Sequence, residues 1–398
     1  MLALAIVTDL ASGKYRMIKI SDQWDAVVVG AGVAGGCIAA LLVDRGWTVL
    51  LVEKSTWPRE TTCGGCLSAA AIEMLRDIKM DSALKDARPT HSVVWQRSEN
   101  TFEHEIPPGA AVLRCKLDSA IAAEAVLRGV QFLPDSCATL LPATTCNDPF
   151  RSVKLQMRDQ TSEIRTRVVI ACDGVGGSFL KHESWATWTI SPDALMGVSA
   201  TYQCQSSEPL SNRIHMCVGR HGYVGRVRTD DCTEHLAAAL EPASCRRLGG
   251  PLKLIGQILH SCQQPIPTGL ATARLYGEGK LTRHRKTLGG HRVLALGDAC
   301  GYVEPITGEG MTHALRGSLE LNRLLPTSAI DWPVDLPERW RTRHWQVIGR
   351  QQRYCRAIKS VAHHPMLAGA GIFMGNAMPA LARRVARAIC QPSIMRLK

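Results

Sequence analysis

The sequence has no run approaching the roughly 18 consecutive apolar residues that a membrane-spanning helix needs, so no transmembrane helix is expected. Its opening, MLALAIVTDLASGKYR, holds a short apolar stretch with an Asp inside it, but no basic leader and no small-residue cleavage site, so secretion is not expected. Aromatic residues are few, with five Phe and six Tyr, and no basic stripe is interleaved with them. Nucleic acid is therefore the least favoured partner. Cys63 and Cys66 in TTCGGCLS have the spacing of a metal or dithiol pair. No second pair answers them and no His follows at finger spacing, so no metal site is expected.

What is present points to a globular enzyme-sized chain. Its 398 residues, 45% hydrophobic and 21% charged, can bury a substantial core and leave room for two domains. Fifteen cysteines, an odd number, are scattered through hydrophobic segments (Cys37, Cys115, Cys172, Cys217, Cys300), which suits reduced thiols in a cytoplasmic protein. The formal charge of +12 favours something anionic: a phosphate-bearing substrate, an acidic electron carrier or a membrane surface. Fold-like patterning starts near Asp22, so residues 1–21 are expected to be a flexible extension, and Met17 is an alternative start.

The segment WDAVVVGAGVAGGCIAALLVDRGWTVLLVEK reads as a strand from Asp25 to Val29, a glycine turn, a helix from about Ala34 to Arg45 and a strand from Thr48 to Val52. Gly30, Gly32 and Gly35 have GxGxxG spacing. The first permits the tight turn, the second lets backbone approach a pyrophosphate, and the third lets the helix pack on the strand. The backbone N–H groups of Val33 and Ala34 then open a helix whose dipole favours the phosphates. Glu53 ends the second strand, where a carboxylate accepts bonds from an adenosine ribose, and Lys54 follows it. Together these predict a dinucleotide site.

Further along, RVLALGDACGYVEPITGEGMTHALRGSLELNRLL reads as a buried strand from Val293 to Leu296, the pair Gly297-Asp298, a turn, and a long amphipathic helix. From Asp22 to about Leu325 the chain resembles the flavoprotein superfamily of aromatic hydroxylases (para-hydroxybenzoate hydroxylase-like), geranylgeranyl reductases and flavin-dependent halogenases. GDACGYVEPITGEGM is the most specific element of that resemblance. It implies FAD as cofactor, with Asp298 on the ribityl chain and Pro305 beside the isoalloxazine. It also implies backbone donors from Gly308, Gly310 and Met311 near the N1 and C2 carbonyl, where a helix N-terminus stabilises the negative charge of reduced flavin.

The resemblance further implies that Arg114, in VLRCKLDSAIAAEAVL, reaches the FAD phosphates or adenosine; a surface Arg at a helix start is the alternative. Asp173 and Gly174, at the end of RTRVVIACDG, are implied to lie near the flavin. The family's usual Ser three residues after that Gly is Gly177 here, with Ser178 next and Lys181 beyond.

STWPRETTCGGCLSAAAIEML resembles the Cys-Gly-Gly loop of geranylgeranyl reductases. This implies that Cys63 is an active-site thiol near the flavin, that Gly64 and Gly65 let backbone lie against a ring, and that Arg59 contacts phosphate or flavin. Thiols ordinarily titrate near pH 8.5, so one placed there can give a proton to an alkene after hydride transfer. Most buried cysteines are inert packing, and that reading stays open.

Departures limit the match. Neither the WxWxIP element nor the characteristic Lys of the halogenases is evident; WATWTI at Trp185 has other spacing, which argues against halogenation. Around Tyr223 the sequence GYVGRVR replaces the Trp of the reductases' Tyr-x-Trp-x-Phe-Pro element with Gly. No second GxGxxG follows a strand, so electrons are expected from transient NAD(P)H contact or from a reduced protein carrier such as ferredoxin.

The expected class is α/β: a Rossmann-type FAD-binding domain (22–88, 107–185, 284–330), an inserted antiparallel-sheet substrate domain (89–106, 186–283) and a helical region from 331 to 398. The expected activity is reduction of carbon–carbon double bonds in a lipophilic small molecule. A monooxygenase acting on an aromatic or polyketide-like substrate is the alternative, and a flavin-binding electron relay without turnover is a third reading. Arg mixed with Trp, Leu, Ile and Met near the C-terminus, the last part broken by Pro379, suggests either peripheral membrane contact or a helix packed on the flavin domain.

Overall fold

A computed structural model describes residues 4–8, 15–143, 145, 148–158, 160–204, 212–304, 306–363 and 377, and for 4–8, 15–19 and 361–363 the backbone alone. The strands Val293–Ala295, Thr161–Ala171, Gln23–Val29, Val49–Val52 and Gln131–Leu133 lie side by side in that order, all parallel. One row across them runs Leu294, Ile170, Val28, Leu51, Phe132, and every member is buried. A parallel sheet covered on both faces needs such near-continuous apolar strands, which is why these segments read as Val, Ile and Leu runs.

The helix Val33–Val43 is buried almost all round because it is enclosed by the sheet and the helices Arg114–Leu127 and Gly310–Leu324. A side chain at Gly36 would stand 2.5 Å from Ile121 Cγ2, so the helix from Arg114 owes its close approach to that glycine. Ser318 Oγ donates to Ala34 O at 3.1 Å and clamps the helix from Gly310 on the other side.

A second sheet has the order Tyr276–Lys280, Met196–Gln203, Thr233–Leu240, Gly222–Arg228, Arg213–Gly219, Arg88–Arg97, Asn100–Ala111, Cys66–Leu67. It departs from the expected antiparallel sheet in one place: Arg213–Gly219 and Arg88–Arg97 pair in parallel. These strands come from two separate insertions, so no hairpin dictates their relative direction. Cys66–Leu67, expected within the dinucleotide domain, adds an edge strand to this sheet. Two helices, Pro242–Leu248 and Pro251–Ser261, also interrupt a stretch expected to be short of helix. The second presents Leu254, Ile255, Ile258 and Leu259 to Val198, Leu236 and Ala238 on one face of the sheet. Period-two alternation then turns Thr201, His235 and Ala239 to the other face, toward the first domain.

Within the extension expected to be flexible, Leu4–Thr8 and Tyr15–Lys19 form an antiparallel hairpin, and Ile20 is buried in the main core. Helices Leu336–His344 and Arg350–His363 form the expected helical C-terminal region as far as it is described. The segment around Pro379 lies outside the described residues. No helix among the described residues is long and apolar enough to cross a membrane.

Candidate functional site

Four candidate segments meet at the carboxyl ends of adjacent parallel strands. Asp298 follows Val293–Ala295, Asp173 follows Thr161–Ala171, Gly30 follows Gln23–Val29, and Glu53 follows Val49–Val52. This edge of an open parallel sheet is where ligands bind.

The turn itself leaves no room for side chains. Gly30 has φ +103°, and a Cβ there would lie 2.3 Å from Cys172 O. A Cβ on Gly35 would lie 1.9 Å from Gly30 O. The helix that starts at Val33 has no side-chain cap and no acid in its first turn, so its first N–H groups are available to an anion.

Beside the turn runs a chain of alternating charges. Glu53, 4% exposed, accepts from Ala31 N and Ser55 N at 3.0 Å and from Arg59 Nε at 3.1 Å. Arg59 Nη2 stands 3.4 Å from Asp118 Oδ2, and Arg114 grips the same buried carboxylate through two bonds of 2.9 Å. Burial works against the charge of Arg114, but Asp118 and Cys63 more than offset it, so its guanidinium is held strongly protonated. A Cβ placed on Gly32 would meet Arg59 Nη2 at 3.3 Å and Arg114 Nη2 at 3.4 Å. Two guanidinium groups therefore converge on the one glycine that sequence spacing assigns to a pyrophosphate.

The Cys63 side chain is near enough to act on the charge of Arg114, which places the CGG loop beside the phosphate end of the site. That loop has three further anchors. His235 Nε2 bonds Cys63 O at 2.6 Å, Gly65 O accepts from Val112 N at 2.8 Å, and Ser68 Oγ and Thr312 Oγ1 are 2.8 Å apart. Gly65 has φ +68°, and a Cβ on Gly308 would lie 3.8 Å from Cys66 Cβ. The loop thus lies against the start of the helix from Gly310. Cys66 is an inert partner by its surroundings: burial, with Cys63 adding to it, pushes its thiol up to about 12.

At the sheet edge, burial raises the Asp298 carboxyl to about 6, with Arg114 opposing and Glu278 adding to the rise. Burial likewise raises Asp173. Its Oδ2 accepts from Phe179 N at 2.8 Å while its Oδ1 is buried without a partner. The carboxylate folds back into its own turn, and a Cβ on Gly177 would lie 2.2 Å from Asp173 Cγ. This explains why Gly177 stands where the resemblance leads one to expect Ser.

Residues 23–206 match the FAD binding domain family. The chain is an FAD-dependent oxidoreductase. It is 24% identical over 350 residues to menaquinone reductase of Mycobacterium tuberculosis, covering 81% of this chain and 82% of that one. It is 25% identical over 304 residues to digeranylgeranylglycerophospholipid reductase 1 of Methanopyrus kandleri, covering 74% of this chain and 78% of that one. In fold it is similar to a flavoprotein/dehydrogenase from Cytophaga hutchinsonii, with TM-score 0.77, 18% identity and 92% of each chain covered.

The flavoprotein's residues fit that cofactor. Two guanidinium groups flank Gly32, Glu53 keeps a lone-pair site beyond the three bonds it accepts, and Asp173 keeps a buried oxygen without a partner. Gly64 is open, with no atom within 4 Å of where its Cβ would be. Lys54 is exposed at the strand end and contributes only a distant positive charge to Asp173. Val33, Ala34 and Met311 are buried, placing their backbone at the helix starts, and Gly174 and Gly297 both have positive φ, +80° and +65°. Pro305 lies outside the described residues.

Sequence reasoning missed His235. It is a buried residue 172 positions from the thiol whose loop it holds, and its only local signal is the polar start, Thr233-Glu234-His235, of an otherwise apolar strand. Burial lowers its pKa, so the ring is neutral. A carbonyl can only accept, which puts the proton on Nε2 and leaves Nδ1 to accept from Thr201 Oγ1 at 2.9 Å. Losing one such bond is worth roughly 1 kcal/mol. His235→Phe is expected to keep its FAD, lose about tenfold in turnover and alkylate faster with iodoacetamide at Cys63. An unchanged alkylation rate would show that the loop is held without His235.

Proposed function

We propose that the flavoprotein reduces a carbon–carbon double bond of a lipophilic, isoprenoid-type substrate, with Cys63 as proton donor. The observation that carries this reading is the anchored CGG loop: His235 holds the Cys63 carbonyl, Cys63 acts on the charge of Arg114, and Cys66 and Ser68 lie against the start of the helix from Gly310. Bound and reduced FAD would supply the hydride for one alkene carbon. Cys63 Sγ holds the proton for the other carbon, and the Arg114 guanidinium stabilises the thiolate left behind. His235 and Val112 fix the loop backbone, so the thiol is oriented before the substrate arrives.

On the face of the second sheet turned to the first domain, Leu195, Met216, Val218, Tyr223 and Ala239 pack with Ile306 in a buried apolar cluster. Apolar surroundings of this kind suit a lipophilic substrate, and the reading agrees with the lipids named in the two curated relatives, a menaquinone and a digeranylgeranylglycerophospholipid. An anionic surface, either an acidic carrier such as ferredoxin or a lipid headgroup layer, suits the C-terminal helices. There Arg350 and Arg353 stand 5.5 and 5.3 Å from the half-exposed ring of Trp345.

The test is to reduce the FAD-loaded protein anaerobically and add a prenylated quinone or geranylgeranyl lipid. Return of the oxidised flavin spectrum, with a product heavier by two hydrogens, is the expected result. Reoxidation only on admitting oxygen, with a product heavier by one oxygen atom, would establish the monooxygenase reading instead.

A further inference from the structure

The helix from Gly310 begins at a buried carboxylate that no step above uses. Glu309 is 2% exposed and serves as the helix N-cap residue. It accepts from Gln351 Nε2 at 3.5 Å, and it has no ion pair among the described residues. Arg316, further along the same helix, donates to Gln351 Oε1 at 3.4 Å rather than to Glu309.

Glu309 lines a small recess together with Asp298, Glu304, His313, His344 and Cys355. The recess joins the two segments, Gly297-Asp298 and Gly310, between which the flavin is expected. Of the groups facing it, His313 and His344 are pushed by burial down to about 3 and about 4, so both stay neutral at working pH. Cys355 is pushed up by burial, and Asp298 lies at about 6. Glu309 itself is raised by burial to about 7, against the pull of Thr312, Arg316 and Gln351.

A helix N-terminus draws negative charge to this place, yet a carboxylate already stands there in a low-dielectric setting. Adding electrons nearby disfavours its ionised form. We infer that Glu309 takes up the proton that compensates the charge gained when the bound FAD is reduced. With FAD bound, a nicotinamide would deliver two electrons and one proton as hydride, or a reduced protein carrier or dye would deliver the two electrons with one proton from solvent; in either case a further proton would pass from solvent to a Glu309 carboxylate oxygen. This rests on FAD lying between Gly32 and Gly310. Native protein that binds no FAD would refute that placement, whereas the curves below refute only the role of Glu309.

The experiment is the reduction potential of the FAD-loaded protein from pH 5.5 to 9, by anaerobic equilibration with a reference dye, for the native chain and Glu309→Gln. At pH 5.5 Glu309 is protonated in both oxidation states and contributes nothing, so the two potentials coincide up to a constant offset. Above pH 7 the native protein binds one more proton per two electrons than the variant does. Its reduction equilibrium therefore falls an extra tenfold per pH unit, about 30 mV, and the variant holds the higher potential. Parallel curves over the whole range would overturn the proposal. Should Glu309→Gln fail to hold FAD, Gln351→Leu replaces it: losing the amide donor moves the onset of the extra fall to higher pH, and an unmoved onset overturns the proposal equally.

Discussion

Cys63→Ser is expected to bind FAD stoichiometrically and to lose at least about a hundredfold in alkene reduction, the scale on which a positioned proton donor acts. The hydroxyl fits the same space but is a far weaker acid. The groups that would hold the cofactor do not depend on sulfur: Arg114 keeps its two bonds to Asp118, and His235 bonds the Cys63 carbonyl rather than its side chain. Single-turnover mixing of reduced variant with the alkene separates the alternatives. Slow flavin reoxidation with normal FAD content supports the donor role. Native rates would make Cys63 a packing residue and shift the balance to oxygen chemistry.

Gly35→Ala is expected to abolish FAD binding and cost about 3 kcal/mol or more, the upper end of what overpacking ordinarily does. The added methyl would stand 1.9 Å from Gly30 O, and neither partner has anywhere to go. Gly30 is itself pressed against the Cys172 carbonyl in a backbone conformation that other residues rarely adopt. Gly64→Ala is the control, since nothing lies within 4 Å of its new Cβ. Urea unfolding with FAD content measured alongside checks both. A Gly35 variant as stable and as yellow as the native protein would contradict the close packing of turn, helix and strand.

The glycine turn was legible because its chemistry is local. Strand, turn, helix and closing acid fall within about thirty residues, and the spacing of Gly30, Gly32 and Gly35 follows from backbone geometry alone. Apolar runs likewise revealed the central parallel strands, whose burial on both faces allows nothing else. The parallel pairing of Arg213–Gly219 with Arg88–Arg97 was not legible, because pairing direction between distant insertions leaves no mark in either strand. Nor were the helices Pro242–Leu248 and Pro251–Ser261, whose short lengths hide their period within a sheet-rich stretch.

Sequence by itself therefore determined the cofactor class, the closely packed glycine turn, the acids at the strand ends and the likeness of the CGG loop to that of the geranylgeranyl reductases. Tertiary structure alone decided which of these residues act together. It made one chain of Glu53, Arg59, Asp118 and Arg114, brought His235 under the Cys63 loop, and gave Gly177 its reason in the Asp173 carboxylate. It also placed Glu309 in a recess with two neutral histidines. The difference is physical: a turn or a strand is specified by neighbours in the chain, whereas a hydrogen bond across 172 residues depends on strand order, sheet face and burial.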